Sequence, residues 1–216
     1  MTTAKEIHEL NVRFNNSGPI DIIQKVSELW PNLTISFSGA EDVVLIEMAT
    51  KLIEKPAIFT LDTGRLHSQT YEFIESVRRH YELPIETLHP NPEMLGQLTQ
   101  KKGLFSFYED GHEECCSIRK VEPLRKKLAT VDAWITGQRR DQSPARADVA
   151  VVQVDGTFSS AEHTVFKINP LANWSSEDVW NYIRMLDVPY NKLHDTGFMS
   201  IGCEPCTRAV RPDQHE

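Results

Sequence analysis

The chain has 216 residues, 40% of them hydrophobic and 25% charged, enough to bury one full core without disulfide staples. Its formal net charge of −8 argues against a general nucleic-acid surface, and no apolar run approaches the roughly 18 residues that a membrane helix needs. The opening MTTAKEIHELNVRF is charged through its first turns and lacks an apolar h-region, so no signal peptide is expected; the expected address is cytoplasmic, where thiols stay reduced.

In chain order, residues 4–15 and 19–30 read as two helices, the second with Ile20, Ile22, Ile23, Val26 and Leu29 on one side. LTISF (33–37) is a β-rich run ending in SGAED, followed by an apolar helix over 43–53. AIFTL (57–61) is a second strand and ends in DTGR; a helix over 68–82 and a third strand, IETLH (85–89), follow. After a helix over 93–102, the pair Cys115–Cys116 opens or sits within a helix running to about Leu128. DAWITG (132–137) is a fourth strand and leads into the loop QRRDQSPAR. Residues 149–154 and 162–168 alternate around an Asp-Gly turn, as an antiparallel hairpin at the sheet edge would, and SSEDVWNYIRML starts a helix over 176–186. This alternation predicts an α/β fold: a Rossmann-like, open, mainly parallel twisted sheet with helices on both faces and an antiparallel edge strand. No repeat, linker or composition break divides the chain, so one domain over 1–216 is expected.

Ligands of such sheets bind beyond the carboxyl ends of the strands, and three strands here end in polar, glycine-containing loops: SFSGAED, LDTGR and TGQRRDQSPAR. In the first, Ser36, Ser38, Gly39 and a helix start would offer hydroxyls and free N–H groups to an anion. In the third, Arg139, Arg140 and Arg146 give guanidiniums to a small anion, with Arg139 or Arg140 each equally able to be a surface residue. No Walker loop is present, since no Gly-Lys-Ser/Thr follows.

The four cysteines are Cys115, Cys116, Cys203 and Cys206, the last two in a C-x-x-C spacing typical of metal and cluster ligands. Adjacent helical residues point about 100° apart, so Cys115 and Cys116 can share an iron–sulfur cluster only by binding different irons. Spacing alone leaves three readings open: a cluster, a zinc site, or buried small side chains.

SFSGAED, LDTGR, CCSIRK, GQRRDQSPAR, INPLANWSSEDVW, VPYN and GCEPCTR occur in this order and together resemble bacterial assimilatory adenylyl-sulfate reductase, from about residue 33 to the end. The resemblance implies an adenine nucleotide alpha-hydrolase-like fold. It also implies one 4Fe–4S cluster per chain on Cys115, Cys116, Cys203 and Cys206. The implied activity is thiol-dependent reduction of adenosine 5′-phosphosulfate to sulfite and AMP, with thioredoxin as electron donor. Ser36, Ser38 and Gly39 would then hold the phosphosulfate, and Leu61, Thr63, Gly64 and Arg65 would reach the nucleotide. Gly137 and Arg146 would close on the anion. Lys120 would link cluster and substrate electrostatically, with Arg119 assisting, because fixed cations must offset the repulsion between a dianion and an incoming thiolate. A homo-oligomer is expected, with no nucleic-acid or membrane partner.

The family attacks sulfur with a fifth cysteine in a Glu-Cys-Gly-Leu-His-like C-terminal tail, whereas this sequence closes on RPDQHE. The expectation is that the tail is absent from the sequence given, and that the chain binds substrate without turning it over. Runner-up activities are a reductase of the 3′-phosphorylated nucleotide or one accepting both. More distant are an ATP pyrophosphatase-type ligase or tRNA sulfurtransferase, which usually shows S-G-G-x-D-S where Ala40 and Glu41 stand here, and a non-enzymatic iron–sulfur sensor.

Overall fold

The computed structural model describes residues 4–210; the closing RPDQHE lies outside the described residues. Helices α1 (Ala4–Phe14) and α2 (Pro19–Leu29) precede the sheet, α2 beginning on Pro19, whose missing N–H costs nothing at a helix start. Then come β1 (Leu33–Ser36), α3 (Ala40–Thr50), β2 (Ile58–Leu61), α4 (Ser68–His80) and β3 (Glu86–Leu88). Helix α5 (Pro92–Lys102) starts on an Asn91 cap, whose side chain accepts from the N–H groups of Glu93 and Met94 at 3.0 and 3.1 Å.

The cysteine pair does lie in a helix running to Leu128, but that helix is not uniform. It consists of α6 (Glu113–Cys116), a π turn (Ser117–Val121) and α7 (Glu122–Leu128). Pro123 supplies a cause: in a regular α-helix its ring would collide with the carbonyl of Arg119, and it has no N–H to donate there. Widening the preceding turn relieves both problems and re-aims Arg119 and Lys120.

Strands β4 (Ala133–Ile135), β5 (Val152–Val154) and β6 (Phe166–Ile168) and helix α8 (Ser176–Leu186) complete the fold. Ser175 caps α8, accepting from Asp178 N–H at 3.1 Å while the Asp178 carboxylate accepts back from the Ser175 N–H at 2.8 Å.

The six strands run in the order β3-β2-β1-β4-β6-β5. All neighbouring pairs are parallel except β5 with β6. The antiparallel pair is as expected, with β5 alone at the edge and β6 inside. Asn11 of α1 blunts that edge: its amide donates to Val152 C=O at 2.7 Å and its carbonyl accepts from Val152 N–H at 3.0 Å.

Side chains alternate across the sheet. Ala133 and Ile135 join the larger core with Ile35, Ile168 and residues of α2, α3 and α8, while Trp134 packs on the other face with Phe59 and Leu128 of α7. Helix α3 is buried on nearly every side, Val43 to Ile46 being fully enclosed, which is why its apolar residues show no one-sided pattern. It starts at Ala40 rather than at 43, because Asp42 in its first turn reaches back to cap the amides of Ser38 and Gly39. Chain order reverses direction between β1 and β4, so the carboxyl ends of these two strands open the crevice where ligands of such sheets bind.

Candidate active site

A cavity of about 1060 Å³ fills that crevice, lined by Ser36, Ser38 and Gly39 after β1 and by Gly137, Arg139 and Arg146 after β4. Its size suits a nucleotide-scale ligand. Trp134 and Trp180 also line it, as does Arg208 near the end of the described chain.

The β1 loop differs from the expected cradle of free donors. Asp42, buried, takes the Ser38 N–H at 2.8 Å, the Ser38 hydroxyl at 2.9 Å and the Gly39 N–H at 3.0 Å on one oxygen, and the Gly137 N–H at 2.9 Å on the other. One carboxylate therefore ties together the two loops that form the crevice. Burial pushes its pKa up to about 6, with the neighbouring Glu41 charge adding and the bonds from Ser38 and Gly39 opposing. Gly137 is required by this closeness, since a Cβ there would lie 2.5 Å from Glu41 Cβ and 2.7 Å from Asp42 Oδ1.

The three loop arginines separate into two roles. Arg139, only 5% exposed, donates to Glu41 at 3.0 Å, Asp141 at 3.3 Å and the Trp174 carbonyl at 3.4 Å. Arg146 donates to Gln142 Oε1, and Gln142 Nε2 donates to Glu41 at 3.1 Å. Arg140 does not line the cavity: it donates to Val149 C=O at 2.9 Å, to Asn173 and to Asn15, pinning the loop to α1.

A second chamber of about 250 Å³ shares Ser38 and Ile201 with the first and is lined by Leu61, Thr63, Lys120 and Cys203. The expected nucleotide contacts of LDTGR divide here. Leu61 and Thr63 face the chamber, whereas Gly64 and Arg65 line neither cavity. Arg65 turns outward, its guanidinium over the rings of Phe107 and Phe105 at 4.7 and 5.4 Å and bonded to Leu104 C=O. Gly64 holds φ at 69°, which favours glycine. Arg119 also lines neither cavity: it is buried beneath the same loop and donates to Thr63 C=O at 2.5 Å. The structure thus makes Arg119 a support for Thr63, and of the two cations after the cysteine pair only Lys120 faces a chamber.

All four cysteines are free thiols. Cys203 pairs with Leu66 in an antiparallel bridge and sits 3.1 Å from the Thr63 hydroxyl. Burial raises the pKa of Cys206, and so do Cys203, Cys116 and Cys115, while Lys120 lowers it. Among the described residues, no three His, Cys, Asp or Glu side chains form a group that could hold a single metal ion. A 4Fe–4S cluster asks for something else, one thiolate on each of four irons, and four free cysteine thiols are the donor chemistry it takes.

Several site residues escape the sequence reading. Glu41 enters the sequence reading only as a difference from S-G-G-x-D-S, and Asp42 only as part of SFSGAED; an acidic residue three places after a helix-opening glycine is also a capping signal, which gives Asp42 its role. Gln142, within the arginine loop, and Arg208 carried no separate signal. Trp180 packs on Tyr190 and His194 and also forms cavity wall. His67 is buried edge-on to Phe198, and His112 Nδ1 lies 4.0 Å from Cys206 Sγ.

An open, mostly parallel sheet with a donor-lined cavity at its switch point defines a Rossmann-like nucleotide-binding α/β protein. Residues 32–209 match the phosphoadenosine phosphosulfate reductase domain, and the chain belongs to that family. It is 58% identical over 203 residues to adenosine 5′-phosphosulfate reductase of Pseudomonas aeruginosa, covering 93% of this chain and 76% of that protein. It is 51% identical over 217 residues to the chloroplastic 5′-adenylylsulfate reductase 3 of Arabidopsis thaliana, spanning 98% of this chain and about half (47%) of that longer protein. Its fold superposes on the crystal structure of phosphoadenylyl-sulfate reductase from Candida auris in complex with phosphate, with a TM-score of 0.82 and 28% identity over 96% of this chain and 98% of that one. The family resemblance and the fold class expected from the motifs are borne out. No helix among the described residues is long and apolar enough to cross a membrane.

Proposed function

We propose that this chain binds adenosine 5′-phosphosulfate for its reduction to sulfite and AMP, with thioredoxin as reductant and an attacking thiol other than its four cysteines. The observation that carries this is the junction at Ser38: the arginine-lined cavity and the chamber holding Lys120 and Cys203 share that residue. An anion of two linked centres can place its phosphate among Arg139 and Arg146 and its sulfate toward Lys120. There the lysine would offset the charge of an approaching thiolate. A thiolate sulfur bonds to the sulfate sulfur as the sulfur–oxygen bond to phosphate breaks, and AMP leaves with that oxygen. A dithiol then attacks the resulting S-sulfocysteine, sulfite departs with the bonding pair, and the dithiol ends as a disulfide.

Cys115, Cys116, Cys203 and Cys206 would hold one 4Fe–4S cluster, so the attacking thiol is none of these four. When bound, the cluster supplies a fixed charge centre beside Lys120 rather than electrons to sulfur. Thr63, supported by Arg119, orients the chamber next to Cys203. A single reductase domain, a homo-oligomeric state and a cytoplasmic setting belong to the same proposal.

Calorimetric titration of anaerobically purified protein with adenosine 5′-phosphosulfate and its 3′-phosphorylated form tests the proposal. The former should bind more tightly, with about four irons and four sulfides per chain. Iron-free, zinc-containing protein, or absence of nucleotide binding, would contradict it. The 28% identity to a phosphoadenylyl-sulfate reductase supports a second reading, use of the 3′-phosphorylated nucleotide, which preferential binding of that form would favour.

A further inference from the structure

The cavity wall carries three arginines, Arg139, Arg146 and Arg208, and three carboxylates, Glu41, Asp42 and Asp141. Of the three arginines only Arg139 is ion-paired among the described residues, to Glu41 at 3.0 Å and to Asp141 at 3.3 Å, so an anion that recruits it must make a carboxylate give way. Asp42 cannot, being fixed by four hydrogen bonds from two loops. Asp141 is anchored by the N–H of Ser176 at 2.9 Å, at the start of α8. Glu41 is different: its hydrogen bonds are with two side chains rather than backbone, the Arg139 guanidinium at 3.0 Å and the Gln142 amide at 3.1 Å. Gln142 in turn receives Arg146. Both loop arginines of the cavity are therefore tied, directly or through one amide, to a single partly exposed carboxylate standing where a ligand's anion would enter.

We propose that Glu41 is an internal occupant of the anion site, holding Arg139 and Gln142 while the cavity is empty and competing with ligand anions for them. It would set how tightly the site retains anions, and so ease the departure of AMP by reoccupying Arg139 behind it. This rests on the functional reading above for the identity of the nucleotides, but not for the competition itself, which any phosphate can report.

Trp134 and Trp180 line the cavity, so tryptophan fluorescence of the intact protein can follow binding. Inorganic phosphate, AMP and adenosine 5′-phosphosulfate are titrated into wild type, E41Q, E41A and E41D, with thermal melts to confirm folding. Both neutral variants should bind phosphate and AMP roughly five-fold more tightly, the scale of one partly exposed ion pair, while Glu41→Asp, which keeps the charge, stays near wild type. Unchanged or weaker phosphate and AMP binding in folded E41Q and E41A would overturn the inference and leave the functional reading intact. Tighter phosphate binding in both, with no binding of either nucleotide by any variant, would sustain the role of Glu41 and sink the reductase reading.

Discussion

The arginine wall and the cysteine wall of this site are built in opposite ways. The arginine wall comes, apart from Arg208, from one contiguous loop, 137–146, in which Gly137, Arg139 and Arg146 already donate to Asp42, Glu41, Asp141 and Gln142. The cysteine wall joins segments nearly ninety positions apart in sequence, 115–120 and 203–206, and leaves its thiols free. Its last segment is fastened by the Glu204 N–H to Arg65 C=O at 2.8 Å and by the Tyr108 hydroxyl to Pro205 C=O at 3.1 Å. A prepaired wall binds by exchanging partners and so discriminates among anions.

The sharpest way to break the arginine wall is Gly137→Ala. The added methyl meets Glu41 and Asp42 at less than 3 Å, so the two crevice loops must part. A loss of about 1–3 kcal/mol in urea unfolding is expected, with nucleotide affinity falling alongside. Arg146→Ala should weaken adenosine 5′-phosphosulfate binding about ten- to hundred-fold in calorimetry, the scale of a lost charge-assisted pair, with little change in unfolding midpoint.

Asp42→Asn tests the tie between the loops. An amide cannot accept on both sides, so one loop loses its acceptor at a cost of about 1–3 kcal/mol. The pH dependence has a definite sign. Asp42 titrates near 6 when folded and near its ordinary 3.8 when unfolded, so between those values the folded chain holds the extra proton. Wild-type stability attributable to this group therefore falls as pH rises from about 4 to 6 and then levels. The penalty of Asp42→Asn, read from denaturant melts at pH 4 and pH 7, should shrink over that interval. The smallest effect belongs to Arg140→Ala, which sits outside the cavity: about 1 kcal/mol of stability and less than a two-fold change in nucleotide affinity.

The two walls also differed in how far the sequence disclosed them. Strand-end loops announce themselves, because alternating apolar runs fix the strands and glycine with polar residues must follow; Ser36, Ser38, Gly39, Gly137 and Arg146 were found that way and do line one cavity. Which of the loop's cations faces inward was not legible. Arg139 and Arg140 are neighbours pointing to different partners, and only the positions of Glu41 and of Asn15 with Asn173 decide between them. The family resemblance implies Arg65 at the nucleotide and Arg119 assisting Lys120. The structure turns one onto Phe107 and sets the other under Thr63, within the π turn ahead of Pro123. Helical periodicity carries no sign of such a turn, although the proline does.

The central claim is that one ligand lies across both walls, its phosphate among the arginines and its sulfate toward Lys120. The affinities of Lys120→Met for adenosine 5′-phosphosulfate and for AMP test this directly, because AMP lacks the group that would reach the second chamber. About ten-fold weaker binding of the phosphosulfate is expected, with AMP binding within two-fold of wild type. Equal losses for the two nucleotides, or no loss for either, would contradict it.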